Sequence, residues 1–459
     1  MENPGRGIPE KMTGRVLIIA YSFPPAGAIG ARRPYGLAKY LPHFGWEPVV
    51  LTVGHPAGES PEGNGAEGIG VLATDYTDRL ALIRKLAGFD SGAGVHQQMG
   101  IPVTKHFGYP TWKSKAIKVL REIVAFPDEE RGWYGHAVKS ASRFMDRRRV
   151  DAIISTSFPV TSHLIARKLK RKYAVPWIAD LRDLWTQNHY YGKSGAMRFL
   201  ERLLEMRTLS SADALVTVSE PLADALRGLH RGKDVRCITN GFDPDDFRGI
   251  QSSPGKKFSI THTGRLYNGM RDPSVLLETA AGLIGAGDID RAAMEISFYG
   301  PREEWLSADI NKYGLEDVAR VCGPVPRSEA IKKQKGSQLL LLLLCNDERE
   351  KGVYTGKLFE YLGSRRPILA IGGPDSVVRD LLAGTCSGHY AANKTELSAI
   401  LMRYYREFAS SGEIGYRAND TLEHYSYDSI ARQYSRVLNN VVEGVVEGVA
   451  EAERAGWKA

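Results

Sequence analysis

A chain of 459 residues is too long for one hydrophobic core and suits two domains of ordinary size. With 43% hydrophobic and 25% charged residues it has the composition of a soluble globular protein, and a net charge of +8 favours anionic partners: phosphorylated ligands, nucleic acid or anionic lipid. Cys237, Cys322, Cys345 and Cys386 lie far apart, which argues against a disulfide framework and a zinc site and fits a reducing cytoplasm.

In chain order, the polar residues 1–14 and the short apolar run Val16–Ala20 do not make an export signal. Strands are expected at RVLIIA (15–20), WEPVVLT (46–52), DAIISTS (151–157), PWIADL (176–181) and ALVTVS (214–219), with amphipathic helices between them. The Gly-rich stretch 54–75 reads as a featureless surface excursion. In residues 111–133, Ile117, Leu120, Ile123 and Val124 recur at helical spacing among Lys113, Lys115, Lys118 and Arg121. Such a helix can lie on an anionic membrane, or it can turn its stripe to the core.

The polar stretch 239–257 marks a join, after which the rhythm repeats: FSITHTG (258–264), MEISFYG (294–300), ARVCGPV (319–325), QLLLLLLC (338–345) and RPILAIG (366–372). Leu339–Leu344 is too short to cross a bilayer and reads as a strand buried on both faces. Apolar strands separated by helices imply parallel sheets covered on both sides, so the expected class is α/β with two doubly wound, Rossmann-like domains facing a cleft. The expected division is 1–242, 243–415 and a helical segment 416–459 that packs back across the join.

In such sheets ligands bind beyond the carboxyl ends of the strands, so the residues that follow strands carry the functional signal. After the first strand comes Pro24-Pro25-Ala26-Gly27-Ala28-Ile29-Gly30, whose Gly27 and Gly30 let backbone amides approach a ligand before a helix start carrying Arg32 and Arg33. It is neither a dinucleotide fingerprint nor a Walker loop, which argues against a dehydrogenase. The second domain opens on THTGRLYNGMRDP (261–273), where Gly264 ends a strand ahead of Arg265, Gly269 and Arg271. A guanidinium there can fork two phosphate oxygens, or simply be solvated. In EREKGVYTGKLFEYLG (348–363), Thr355-Gly356 precedes a helix bearing Lys357 and Glu360, a pair that a solvated helix would carry just as readily. The Asp-x-Asp within DPDD (243–246) sits in a Pro- and Asp-rich turn, and no metal is expected there.

These stretches, with ISTSFPVTSHLIARKLKRKYAVPWIADLRDLW (154–185), SADALVTVSEPLADAL (211–226) and ITNGFDPDDF (238–247), resemble the GT-B glycosyltransferases of the large retaining family 4. The likeness covers nearly the whole chain and lies in the order and spacing of the motifs. It implies a nucleotide-diphosphate sugar as co-substrate with no cofactor or metal, and a glycan or lipid-linked acceptor. It also implies a cytoplasmic protein that touches the inner membrane face peripherally and does not bind nucleic acid. Residue by residue, it implies that Gly27, Gly30, Gly264, Arg271, Thr355, Gly356 and Glu360 bind the donor, with Glu360 on the ribose, and that Arg265 and Lys357 hold the diphosphate. Arg182 and Asp183 stand where the family commonly has His-Asp and join the catalytic set, or else form with Asp180 a buried structural salt bridge beside Trp185, while Arg32 and Arg33 face the acceptor or membrane. Gly352 occupies a position where the family often has a glutamate touching the donor sugar. The departures at Gly352 and Arg182 favour one alternative, a GT-B protein that binds a nucleotide sugar without transferring it; a nucleotide-sugar 2-epimerase, which can share this architecture, is a second.

Overall fold

The computed structural model describes residues 14–24, 29–54, 68–81, 120, 122–188 and 194–456. Gly27 and most of the basic segment 111–121 lie outside them. The chain divides into two units, residues Met1–Thr239 with Ile430–Ala459, and residues Asn240–Ser429.

The first unit is built on β1 (Gly14–Ile19), α1 (Arg32–Tyr40), β2 (Trp46–Val53), β3 (Gly70–Thr74), α2 (Tyr134–Met145), β4 (Ala152–Ser157), α3 (Thr161–Tyr173), β5 (Trp177–Leu181), α4 (Gly195–Leu209), β6 (Ala214–Thr217), α5 (Glu220–Leu229) and β7 (Asp234–Cys237). Its seven strands run parallel in the order β3-β2-β1-β4-β5-β6-β7. Central strands such as β4 and β5 are buried along their whole length, as expected of strands covered on both faces. The stretch 54–75 is not featureless: β3 forms one sheet edge there, and its exposed outer positions gave no continuous apolar run to read.

The second unit repeats the plan with β8 (Phe258–Thr263), α6 (Ser274–Gly285), β9 (Met294–Tyr299), α7 (Glu304–Lys312), β10 (Ala319–Val321), α8 (Arg327–Lys335), β11 (Leu339–Leu343), α9 (Gly356–Ser364), β12 (Ile368–Ile371), α10 (Val377–Thr385), β13 (Gly388–Ala391) and α11 (Lys394–Ser411). The parallel order is β10-β9-β8-β11-β12-β13, and all five leucines of β11 are buried. The last helix, α12 (Tyr427–Gly456), contributes to the first unit from Ile430 onward. Among the described residues, no helix is long and apolar enough to cross a membrane.

Strand order reverses between β1 and β4 in one sheet and between β8 and β11 in the other. At such a switch point the flanking connections leave in opposite directions and open a crevice at the carboxyl ends of the strands. Each unit has the sequence-expected residues beside that point.

Candidate functional site

In the second unit β8 ends at Thr263, and Gly264 follows with φ +130°, in the region that favours glycine. A Cβ on Gly264 would lie 2.4 Å from Lys357 Cε, so the lysine arm crosses directly over the strand end. Gly300, after β9, is required for a similar reason: its Cβ would fall 2.1 Å from the Gly264 carbonyl oxygen. The lysine arm can move aside for a Cβ on Gly264, but the positive φ there strains any other residue. Gly264→Ala is therefore expected to lower the stability of this unit by about 1–3 kcal/mol, read as a lower melting temperature.

Helix α9 is set by its apolar face. Leu358, Phe359, Tyr361 and Leu362 are buried, leaving Lys357 and Glu360, three apart, on the opposite side. The Tyr361 hydroxyl accepts a hydrogen bond from the Thr263 amide at 2.9 Å, which pins the helix to the end of β8. On its far side Gly363 allows close packing, since a Cβ there would come within 2.3 Å of the Phe247 ring. Thr355 holds the N-cap position without a side-chain capping bond, and its buried hydroxyl has no hydrogen-bond partner among the described residues. The helix ends at Arg365 in the left-handed conformation, φ 53°, two residues before Pro367.

Glu360 is held from several directions. Its Oε1 accepts from Gln334 Nε2 at 2.7 Å and lies 3.5 Å from Lys357 Nζ, and its Oε2 is 3.6 Å from Arg327 Nε. Gln334 is itself fixed, donating to Thr263 Oγ1 at 2.8 Å and accepting from Ser364 Oγ at 2.6 Å. The sequence-expected Gly264, Lys357 and Glu360 thus form one cluster at the switch point. Gln334 and Arg327 complete it from α8, whose lysine-rich sequence reads as an ordinary surface helix and gave no signal.

His262 is a third unforeseen member. Buried in β8, it shares a hydrogen bond between Nδ1 and the Leu341 carbonyl of β11, across the switch point, at 3.0 Å. Burial is the main cause pushing its pKa down to about 4; the Leu341 carbonyl opposes this, and the cations Lys357 and Arg271 add to it. At neutral pH the imidazole is uncharged, so the positive field here comes from lysine and arginine. Arg265 and Arg271 are both half-buried on the loop leaving β8, and the Arg271 guanidinium lies 5.7 Å from the centre of the Tyr267 ring. Burial lowers the Arg271 pKa from its usual value.

The aspartates of 243–246 are engaged in local structure. The Asp243 side chain accepts from the Asp245 amide at 3.0 Å, Asp245 pairs with Arg248 at 2.7 Å and Asp246 with Arg327 at 2.7 Å.

In the first unit the sequence expectations need correcting. Arg33 does not face an acceptor or a membrane: it is buried, with 1% exposure, and pairs with fully buried Asp180 at 3.0 Å. It also donates to the Ile238 carbonyl at 2.8 Å and the Tyr434 hydroxyl at 2.9 Å, while Asp180 accepts from Thr156 Oγ1 and Tyr434, each at 2.8 Å. Arg32, next to it at the start of α1, is half-buried. Arg182 is likewise directed to backbone: it donates to the carbonyls of Ser157 at 2.7 Å, Gly30 at 2.8 Å and Phe158 at 3.5 Å. Gly30 makes room for that guanidinium, because a Cβ would sit 3.1 Å from Arg182 Nη1. These contacts clamp the β1 and β4 loops together at their switch point. Asp183 is exposed beside this clamp.

Comparison with known proteins agrees with this architecture. Residues 30–241 match the family model of the glycosyl transferase 4-like domain. No curated protein matches the chain in sequence. Among solved structures, a glycosyltransferase from Rickettsia africae is 13% identical over 94% of this chain and 99% of its own, with a TM-score of 0.59. An E. coli trehalose-6-phosphate structure bound with UDP-2-fluoro glucose is 10% identical over 92% of this chain and 98% of its own, with a TM-score of 0.56. Anabaena HepE in complex with UDP-glucose is 13% identical over 95% of this chain and 100% of its own, with a TM-score of 0.50. Residues 30–241 are thus similar to the glycosyl transferase 4-like domain, within a chain that shares the GT-B fold of these solved structures.

Proposed function

We propose that the protein transfers a glycosyl group, with retention, from a nucleoside-diphosphate sugar to a glycan or lipid-linked acceptor in surface polysaccharide or glycolipid synthesis. The observation that carries this reading is the convergence of Gly264, Lys357 and Glu360 at the switch point of the second unit, with Lys357 3.5 Å from Glu360. A cation over a strand end suits a diphosphate, and a carboxylate fixed one helical turn further on suits the two hydroxyls of a ribose. Two GT-B neighbours, the E. coli and Anabaena proteins, hold UDP-linked glucose compounds, which supports a donor of this class.

In the reaction, the bond between the anomeric carbon and the diphosphate oxygen breaks, and its electron pair leaves with the nucleoside diphosphate. The acceptor hydroxyl forms the new bond from the same face, and its proton passes to the departing phosphate. Negative charge grows on that phosphate, where Lys357, Arg265 and Arg271 supply a fixed positive field. The acceptor is assigned to the first unit.

Stabilisation by uridine or guanosine diphosphate in a thermal-shift panel tests the donor assignment. The wild type is expected to gain several degrees with one of them, and Glu360→Ala to lose most of that gain; an equal gain in the variant counts against the ribose role. Binding without transfer is the second reading, favoured by the use of Arg182 on backbone carbonyls and by Gly352. Under it, no donor and acceptor pair would release nucleotide despite tight donor binding.

A further inference from the structure

We propose that α4 of the first unit docks the protein on an anionic lipid bilayer, a property independent of sugar transfer. A surface helix of a globular domain ordinarily buries its apolar stripe and exposes its charges. Helix α4 does the reverse. Glu201 and Glu205 are fully buried, while Phe199 is 62%, Leu200 51%, Leu203 50% and Met206 44% exposed. Phe199, Leu203 and Met206 are spaced by four and three residues and share one outward line.

The rotation of the helix is locked from inside. Glu205 Oε2 accepts from the amide of Thr186 at 3.2 Å and from its hydroxyl, and Oε1 lies 3.5 Å from His230 Nε2. Rolling the apolar line inward would break these buried contacts. At the start of α4 Ser194 Oγ donates to Glu122 Oε2 at 3.0 Å, and within two residues of Glu122 in sequence Leu120 and Ile123 are 47% and 58% exposed.

The charges choose the partner. The two acidic residues of α4 are the buried ones, so its exposed charges, Arg198, Arg202 and Arg207, are all positive. Arg167 and Arg171 of α3 extend this field: the Arg167 pKa is lowered first by burial and then by Arg207 and Arg171. Apolar side chains flanked by arginines match the boundary between acyl chains and anionic headgroups. A second copy of the same face would set arginine against arginine under two-fold symmetry, which disfavours self-association.

Co-sedimentation of the full chain with phosphatidylglycerol-containing vesicles and with pure phosphatidylcholine vesicles tests the proposal. The wild type is expected to bind the former and to be released by salt. The pair Phe199→Glu and Leu203→Glu is expected to lower that binding by at least about tenfold, and Arg198→Gln with Arg202→Gln to lower it on anionic vesicles alone. Circular dichroism verifies that the variants fold. Their thermal shift with uridine or guanosine diphosphate should equal the wild type's, so failure of the lipid proposal and failure of the donor reading are distinguishable. Absent binding to anionic vesicles, binding unchanged in the Phe199 and Leu203 pair, or a wild-type dimer in light scattering that the same pair dissociates would each overturn it.

Discussion

Replacing Lys357 by alanine is expected to slow nucleotide release from the cognate donor by roughly 100–1000-fold, equivalent to about 3–4 kcal/mol of barrier. The amine lies over the β8 end, within 3.2 Å of where a Gly264 Cβ would be and 3.5 Å from Glu360. A charge fixed there interacts more strongly with the phosphate as negative charge develops than with the intact ester, so the loss should fall on kcat. Lys357→Arg keeps the charge but needs more room beside Gly264, and is expected to recover only part of the rate. An unchanged kcat in Lys357→Ala, measured by coupled detection of released nucleoside diphosphate, would remove the lysine from the catalytic set.

The largest stability effect is expected from Asp180→Leu. The substitution leaves the Arg33 guanidinium buried without its countercharge, which costs about 3–5 kcal/mol. It should appear as a fall of about 10 °C in the melting transition of the first unit. The double variant Arg33→Met with Asp180→Leu is expected to recover much of this, because a buried pair is far easier to remove whole than to halve. Burial by itself would raise the Asp180 pKa, but the Arg33 charge and the hydrogen bonds from Arg33 and Tyr434 overcome it and hold the carboxyl below its ordinary value. The unfolded chain then takes up the proton first. The pair's contribution is therefore full above the ordinary carboxylate pKa of about 3.9 and declines as pH falls through and below it.

The legible parts of the fold were those that the interior enforces. Strands covered on both faces, such as β4, β5 and β11, are continuous apolar runs, and their alternation with helices disclosed two parallel sheets. The strands that escaped notice, β3, β7 and β13, all lie at sheet edges, where half-exposed positions break the run. In the site, Gly264, Lys357 and Glu360 were visible because a strand-end glycine and a helix-borne charge pair are local features. His262 and Gln334 were not, since their roles depend on β11 and α9, which are distant in sequence. Arg33 was misjudged for the same reason: local sequence shows a cation at a helix start, while its main partners are Asp180, 147 residues away, and Tyr434, 401 residues away.

A crystal of the protein soaked with uridine or guanosine diphosphate tests the account most directly. Difference density should place diphosphate oxygens about 3 Å from Lys357 Nζ, with the ribose hydroxyls at Glu360, beside the glycine that ends β8. A nucleotide seated instead beyond the ends of β1 and β4, with Lys357 and Glu360 untouched, would contradict it.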